Sequence, residues 1–179
     1  MTTESPRMPS PQSLLFFADV MLGKLARWLR LLGYDTAYER DIDDRAIVER
    51  IVREGRWLLT RDRYLLRRNI LAGRATLIVH DSVGDQLQQL GQELGISLVI
   101  DQATESRCMK CNAPLEPLAH RQAASRVPPH VAREQTEFVI CPRCERIFWP
   151  GSHWTHLQRR LHDWQLGVTL GIVPRSSGA

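Results

Sequence analysis

The 179-residue sequence lacks several features that each identify a large class of proteins. No apolar run approaches the roughly 20 residues that a membrane-spanning helix needs. The polar segment 1–12 has no basic stretch followed by an apolar one, so it does not resemble an export signal, and we expect a cytoplasmic protein. The chain also has no glycine-rich phosphate-binding loop, which argues against nucleotide binding of the P-loop kind.

The composition is that of a folded protein with an uneven distribution of charge. Hydrophobic residues make up 43% and charged residues 25% of the chain, which is typical of a globular protein. The length fits one ordinary domain plus a small module. Residues 1–106 carry 14 basic and 15 acidic side chains, whereas residues 107–179 carry 10 basic and 5 acidic ones. This basic C-terminal part favours a polyanionic partner such as nucleic acid, with ordinary surface solubility as the alternative.

All four cysteines lie in the basic C-terminal part, in two C-x-x-C pairs. Cys108 and Cys111 form the first pair, Cys141 and Cys144 form the second, and 29 residues separate the pairs. Four thiolates at this spacing predict a tetrahedral zinc site of the ribbon type rather than redox-active cysteines. Such a site has no open coordination position, so we expect structural Zn²⁺ that lets a segment with little core of its own fold.

The N-terminal part alternates between short apolar runs and segments with helical spacing. Three apolar runs end at an aspartate: residues 14–18 before Asp19, 57–61 before Asp62, and 75–80 before Asp81. The alternation predicts an α/β domain of three layers with a central parallel sheet over about residues 14–100, in which 96–100 forms one more strand. The proline-containing segment 121–133 is predicted to be a loop.

Aspartates at the ends of parallel strands predict a metal site, because the carboxyl ends of such strands meet at one edge of the sheet. Gathered carboxylates repel one another unless a hard cation such as Mg²⁺ or Mn²⁺ lies between them. Aspartate is also a favoured N-cap residue, and capping is the simpler explanation for any single position. The candidate ligands are Asp19, Asp43, Asp44, Asp62 and Asp81, with Asp85 as an alternative to Asp81.

The spacing of the residues around these acids distinguishes among the kinds of phosphate chemistry that they could support. A phosphatase with an aspartyl nucleophile commonly has a second aspartate two residues later, but Met21 occupies that position after Asp19. A phosphate-accepting receiver domain requires a lysine near a late strand, and residues 76–100 contain none. Hydrolysis of a phosphodiester by metal-activated water is the best remaining fit.

Basic side chains lie close in sequence to Asp19 and to Asp62. Lys24, Arg27 and Arg30 follow Asp19 on the predicted polar side of a helix, and Arg61 directly precedes Asp62. We expect these four residues to bind a nucleic-acid phosphate backbone and steer it toward the metal site, with a solvated helix face as the alternative.

The segment 17–36, FADVMLGKLARWLRLLGYDT, resembles the opening of the Mut7-C RNase domain family. The Thr-Arg-Asp element at 60–62, Asn112 after the first C-x-x-C pair, and the segment WPGSH at 149–153 agree with that resemblance, which covers about residues 15–160. It implies a PIN-like nuclease domain followed by a zinc ribbon. It also implies that three or four acids hold Mg²⁺ or Mn²⁺ and that RNA is cleaved hydrolytically.

The resemblance assigns roles to individual acids. Asp19 matches the acid after the first strand, Asp62 matches the acid of the Thr-Arg-Asp element, and Asp44 is preferred to Asp43 as the middle acid. Asp81 matches the fourth acid. The predicted catalytic set is therefore Asp19, Asp44, Asp62 and Asp81.

The sequence predicts four regions and one function. We predict a disordered lead-in over 1–13, a PIN-like nuclease domain over 14–102, a zinc ribbon with a C-terminal helix over 103–165, and a flexible tail over 166–179. The predicted function is cleavage of single-stranded RNA by water activated by Mg²⁺ or Mn²⁺, which leaves a 3′-hydroxyl and a 5′-phosphate. A non-catalytic RNA- or ribosome-binding adaptor and a toxin-like nuclease are the alternatives.

Overall fold

The computed structural model describes residues 13–68, 71, 73–100 and 106–169. The predicted lead-in, apart from Ser13, and the predicted tail from residue 170 onward lie outside the described residues. In the described part, no helix is both long enough and apolar enough to cross a bilayer.

A four-stranded parallel sheet forms the centre of the N-terminal part, as predicted. Its strands are β1 (Phe16–Ala18), β2 (Thr36–Tyr38), β3 (Trp57–Thr60) and β4 (Ala75–Leu77), in the spatial order β2-β1-β3-β4. Phe17 of the central strand β1 aligns with Ala37 on one side and Leu58 on the other. Every residue of β1 and β3 is buried, which explains why these strands are continuously apolar instead of alternating.

Helices cover both faces of the sheet and complete the three layers. They are α1 (Gly23–Leu31), which follows a 3₁₀ turn at Val20–Leu22, then α2 (Asp44–Glu54), α3 (Arg63–Leu66) and α4 (Val83–Leu94). The first and fourth helices pack with Phe16 and Leu59 on one face. The second and third pack with Phe17 and Leu58 on the other. The predicted α/β architecture is thus confirmed.

A small antiparallel sheet follows and carries the cysteines. Its strands are β5 (Glu116–Leu118), β6 (Phe138–Ile140) and β7 (Ile147–Phe148), in that order. The predicted loop at 121–133 is wrong, because the structure has α5 (His120–Ala123) and α6 (Pro129–Glu134) there. Proline is favourable in the first turn of a helix, and buried Ala123 and Val131 pack with Phe138.

The expected strand at 96–100 is also absent. Ile96, Leu98 and Ile100 are buried in alternation with exposed neighbours, as in a strand. The backbone N–H groups, however, bind side chains: Ser97 N donates to Tyr34 Oη at 2.7 Å and Leu98 N to Gln165 Oε1 at 2.7 Å. The segment is therefore extended over the helices without joining the sheet.

The last helix, α7 (Ser152–Thr169), packs back onto the α/β domain and continues beyond the predicted end at 165. Leu161 is 2% exposed within the same cluster as α1 and α4. The rings of Trp164 and Trp28 meet edge to face with centroids 5.0 Å apart. The C-terminal helix thus contributes to the core of the first domain, although the cysteines lie between them in sequence.

Candidate functional site

The order of the sheet creates a crevice at its carboxyl edge. The chain crosses from β1 to β2 on one side and then returns to β3 on the other, so the switch point lies between β1 and β3. Ligands of open α/β sheets bind at the carboxyl ends of the strands at such a point. Asp19 directly follows β1, and Asp62 lies two residues after the end of β3.

The Asp19 carboxylate is buried and held in one orientation. Its side chain is 5% exposed. Oδ1 accepts the Met21 N–H at 2.8 Å, and Oδ2 accepts the Arg61 N–H at 3.1 Å as well as the Thr60 hydroxyl. These neutral donors fill three of the roughly four acceptor sites of a carboxylate, so the negative charge is fixed in place without a counter-ion among its donors.

The Thr60 side chain contacts both Asp19 and Asp62. Register pairs Ala18 with Leu59, which sets Asp19 beside Thr60 at the edge of the sheet. The Thr60 hydroxyl donates to Asp19 and accepts the Asp62 N–H at 2.9 Å. Asp62 in turn caps α3, since its Oδ1 accepts the N–H two residues later at 2.7 Å. One buried hydroxyl therefore links the Asp19 carboxylate to the backbone of Asp62.

Asp43 and Asp44 lie at the start of α2, after the loop that leaves the carboxyl end of β2. Asp43 is the N-cap, and its Oδ1 accepts the Ala46 N–H at 2.8 Å. Asp44 is exposed, and its Oδ2 is 3.7 Å from Arg68 Nη2. Of the two, Asp44 has the carboxylate that is free of a capping bond.

Asp81 does not end a strand, because β4 stops at Leu77 and a short loop follows. Its exposed carboxylate forms an ion pair with Arg61, with Nη2 and Oδ1 2.5 Å apart. Asp85 serves as a capping partner: its Oδ2 accepts the Ser82 hydroxyl at 2.8 Å, while Ser82 caps α4. Asp81 is thus linked to the edge through an arginine, and Asp85 is used within its own helix.

The acids do not form a closed ligand cage. Among the residues that the structure describes, the four cysteines are the one group of three or more His, Cys, Asp or Glu residues whose ligand atoms lie within 4.8 Å of one another. Mg²⁺ commonly binds one or two carboxylates and keeps several waters, so a site for this cation does not require such a cage. The all-oxygen donors of Asp19 and Asp62 suit that mode.

The basic residues predicted to contact RNA divide into two kinds. Lys24 and Arg27 are exposed on α1, and Arg61 is partly exposed beside Asp81. Arg30 differs from the prediction: it is 5% exposed and turned into the protein, where it donates to Thr36 O at 2.9 Å and to Met109 O at 3.0 Å. A buried guanidinium with these partners holds the cysteine-bearing segment against the α/β domain, so Arg30 is not part of an exposed basic surface.

The four cysteine Sγ atoms converge at the second site. They lie within 4.8 Å of one another, and Cys108 and Cys141 are fully buried. Tetrahedral Zn–S bonds of about 2.3 Å require Sγ atoms about 3.8 Å apart, so the cluster needs little adjustment to hold zinc. Burial raises the pKa of the Cys108 thiol to about 12, and metal binding at this group would have to displace that proton.

Both C-x-x-C pairs form the same backbone turn. Asn112 N donates to Cys108 O and Glu145 N donates to Cys141 O, each at 2.8 Å. Asn112 and Glu145 have φ values of 68° and 57°, the left-handed conformation that closes the turn after the second cysteine. Asparagine tolerates this conformation well, whereas glutamate does so at some cost.

The first turn is clamped to the α/β domain by residues that sequence reasoning missed. Asn112 Oδ1 accepts the Thr36 N–H at 3.0 Å, and its Nδ2 donates to Asp35 Oδ1 at 2.8 Å. Asp35 also binds Arg56 and Arg107 at 2.7 and 2.8 Å. Burial alone would raise the pKa of Asp35, but its hydrogen bonds from Arg56 and Asn112 lower it. The one sequence signal was Asn112 directly after Cys111.

Comparison with known proteins agrees with this arrangement. A search of curated proteins found no match. Among protein families, the Mut7-C RNAse domain matches residues 15–161, a range that includes both the carboxyl edge of the parallel sheet and the four cysteines. That range covers most of the chain, and the family points to a ribonuclease acting on RNA. The chain therefore belongs to the Mut7-C RNAse domain family.

Proposed function

We propose that the protein is a Mg²⁺- or Mn²⁺-dependent ribonuclease of PIN-like architecture whose active site is the carboxyl edge of the parallel sheet. The observation that carries the proposal is the buried Asp19 carboxylate at the switch point, joined to Asp62 through Thr60. Burial of an ionised group is costly unless the group is hydrogen-bonded or binds a cation. A carboxylate that serves only as a helix cap is usually exposed, as Asp43 is here.

Asp19 and Asp62 would hold the cation, and Asp44 and Asp81 would complete its surroundings from the flanking loops. A bound Mg²⁺ or Mn²⁺ lowers the pKa of a water ligand and offsets the charge that develops on the phosphate. The three donors to Asp19 keep its remaining lone pair in a fixed direction. Thr60 keeps the two acids in register, and the ion pair with Arg61 holds Asp81 at the same edge.

The substrate is RNA, and we propose that it is single-stranded. Lys24 and Arg27 are exposed on α1, the helix that begins at the carboxyl edge, and can steer the phosphate backbone toward Asp19. The zinc ribbon aids binding through its excess of basic residues. Its four cysteines form a metal-ligand cluster instead of disulfides, which fits a reducing compartment such as the cytoplasm.

The direct test is cleavage of a single-stranded RNA by the zinc-loaded protein with Mn²⁺ or Mg²⁺. We expect products with a 3′-hydroxyl and a 5′-phosphate, and loss of cleavage in Asp19→Asn and in Asp62→Asn. Asp163→Asn is the matched control, since Asp163 is an exposed acid on α7, far along the chain from the sheet edge.

RNA binding without cleavage by the wild type at any Mn²⁺ or Mg²⁺ concentration would contradict the enzyme proposal. It would favour a non-catalytic adaptor, in which the acids serve only as caps and ion-pair partners. Equal loss of cleavage in Asp163→Asn would also contradict it, because that result would show a general effect of charge.

A further inference from the structure

A cavity of about 310 Å³ lies where three parts of the chain meet: the end of α1, the cysteine-bearing sheet and the start of α7. This volume is at the lower end of the range for small-molecule sites. Phe148, Trp149 and Trp154 line it, and Met109 and Leu157 add further apolar surface. It is separate from the carboxyl edge, because none of the candidate acids contributes to its lining.

The aromatic residues of the cavity are only half-buried, and two of them have unused donors. Phe148, Trp149 and Trp154 are all intermediate in exposure. Within the described residues, neither the Trp149 nor the Trp154 indole N–H has a hydrogen-bond acceptor. Neither N–H group is among the buried polar atoms without a partner, so both are accessible to a ligand. A ligand with a flat face and acceptor atoms on its edge matches both properties.

The charge around the cavity favours an anionic ligand. Arg107 lines it but is paired with Asp35, so the remaining charges are those of exposed residues next to the lining. Among the described residues, exposed Lys110 and Arg146 are adjacent in sequence to the lining residues Met109 and Ile147, and the one exposed acid in such a position is Glu116, next to Leu115. Basic residues are therefore in excess there. An aromatic lining within a basic surface is the combination that captures unstacked bases of single-stranded nucleic acid.

We infer that this cavity is a secondary binding site that takes one unpaired base of the RNA substrate. The inference rests on the proposed function, because it takes RNA as the substrate. A base-paired strand cannot turn a base into the cavity, so the site selects single-stranded RNA. The base stacks against the aromatic lining, and its edge accepts an indole N–H. The phosphate of the same nucleotide lies near Lys110 and Arg146.

The position of the cavity gives the site a role in affinity and not in chemistry. Leu31, at the C-terminal end of α1, lines the cavity, whereas Asp19 precedes the N-terminal end of this helix. Nine helical residues span about 14 Å. The captured base is therefore well separated from the bond that is cleaved. Loss of the site should raise KM for RNA long enough to reach both places and leave kcat nearly unchanged.

The test uses the zinc-loaded full chain and two matched tryptophan variants. Trp154→Ala alters the cavity, whereas Trp164→Ala alters a half-buried tryptophan of the same helix that does not line it. Binding is measured in the Asp19→Asn background, so that the RNA stays intact, with a short single-stranded RNA, its duplex form and an abasic analogue with the same number of phosphates. We expect Trp154→Ala to weaken binding of the single-stranded RNA by at least about fivefold, the scale of one lost stacking contact.

Leu157→Phe provides a second variant, which fills the cavity without removing a ring. It should weaken binding of the single-stranded RNA as Trp154→Ala does, while its zinc content and thermal unfolding stay close to those of the wild type. Equal affinity for the single-stranded RNA and its abasic analogue would overturn the inference, as would equal weakening by Trp164→Ala. Because this readout is binding, it fails independently of cleavage, which tests the proposed ribonuclease activity.

Discussion

The protein has two groups of candidate metal ligands, and they differ in how far the fold assembles them. The four cysteine Sγ atoms lie within 4.8 Å of one another, whereas the described aspartates form no comparable group. Each cysteine pair is placed by a short backbone turn, the first before β5 and the second between β6 and β7. The aspartates come from four separate connections of a larger sheet, and Asp19, Asp43 and Asp62 already accept backbone N–H groups as helix caps.

The difference shows which kind of metal site a fold can build from local geometry. A zinc site takes all four ligands from the protein, so the turns must bring them together completely. A Mg²⁺ site needs only one or two carboxylates, because water supplies the remaining ligands. Asp19, held by Thr60, Met21 and Arg61, has the rigidity that such an incomplete site requires.

The largest expected effect comes from removal of one zinc ligand. Cys141→Ser should abolish binding of one zinc per chain and unfold the small sheet, since the metal supplies about 10 kcal/mol or more of folding free energy in structural sites. Zinc content by elemental analysis and thermal unfolding measure this outcome. Pro142→Ala, inside the same C-x-x-C pair, should retain zinc; a zinc-free but fully folded Cys141→Ser protein would contradict the structural role.

A smaller effect is expected from the hydroxyl that joins the two acids. Thr60→Val removes the donor to Asp19 and the acceptor for the Asp62 N–H, and we expect cleavage to fall by about 10- to 100-fold, as for other residues that orient metal ligands. Thr60→Ser keeps the hydroxyl and should keep most of the activity. Equal rates for the valine and serine variants would show that the hydroxyl does not position the acids.

The clamp between the first cysteine turn and the α/β domain predicts an asymmetry between the two cysteine turns. Asn112→Gly keeps the positive φ of 68° but removes hydrogen bonds to Thr36 and Asp35, so the free energy of unfolding should fall by about 1–3 kcal/mol. Glu145→Gly, at φ 57° in the second turn, removes no such bond and is the matched control. Chemical denaturation of both variants measures the difference; equal destabilisation would count against the clamp.

The smallest effect is a dependence of stability on acid pH. Hydrogen bonds from Arg56, Arg50 and Arg53 lower the pKa of Glu54 from the ordinary 4.5 to about 2. A carboxyl with a depressed pKa in the folded state stabilises it fully above its unfolded value, and this contribution is lost as the pH falls from about 4.5 to about 2. Glu54→Gln should flatten thermal stability measured across that interval, and an unchanged slope would contradict the assignment.

The features that the sequence predicted well depend on local pattern. Continuous apolar runs predicted the parallel strands, because a strand buried on both faces needs them. Cysteine spacing predicted the cluster, because each turn is closed by hydrogen bonds within its own few residues. Strand ends predicted that Asp19 and Asp62 would lie at one edge of the sheet, where Thr60 binds the Asp19 carboxylate and the Asp62 backbone.

Three failures involve contacts between distant segments. Arg30 occupies the polar side of α1 by pattern, but the cysteine-bearing segment docks there and buries it. Residues 96–100 alternate as a strand does, yet Tyr34 and Gln165 take their backbone N–H groups. The role of Asp35 in the clamp could not be predicted either, because its partners Arg56 and Arg107 are distant in sequence.

The most direct test of the central claim is binding of Mn²⁺ to the zinc-loaded protein, followed by electron paramagnetic resonance. If the buried Asp19 carboxylate anchors a hard-cation site distinct from the cysteines, the wild type binds Mn²⁺ while its zinc is retained, and Asp19→Asn loses that binding with its fold intact. Mn²⁺ binding that is unchanged in Asp19→Asn, or that occurs only when zinc is displaced, would contradict the claim.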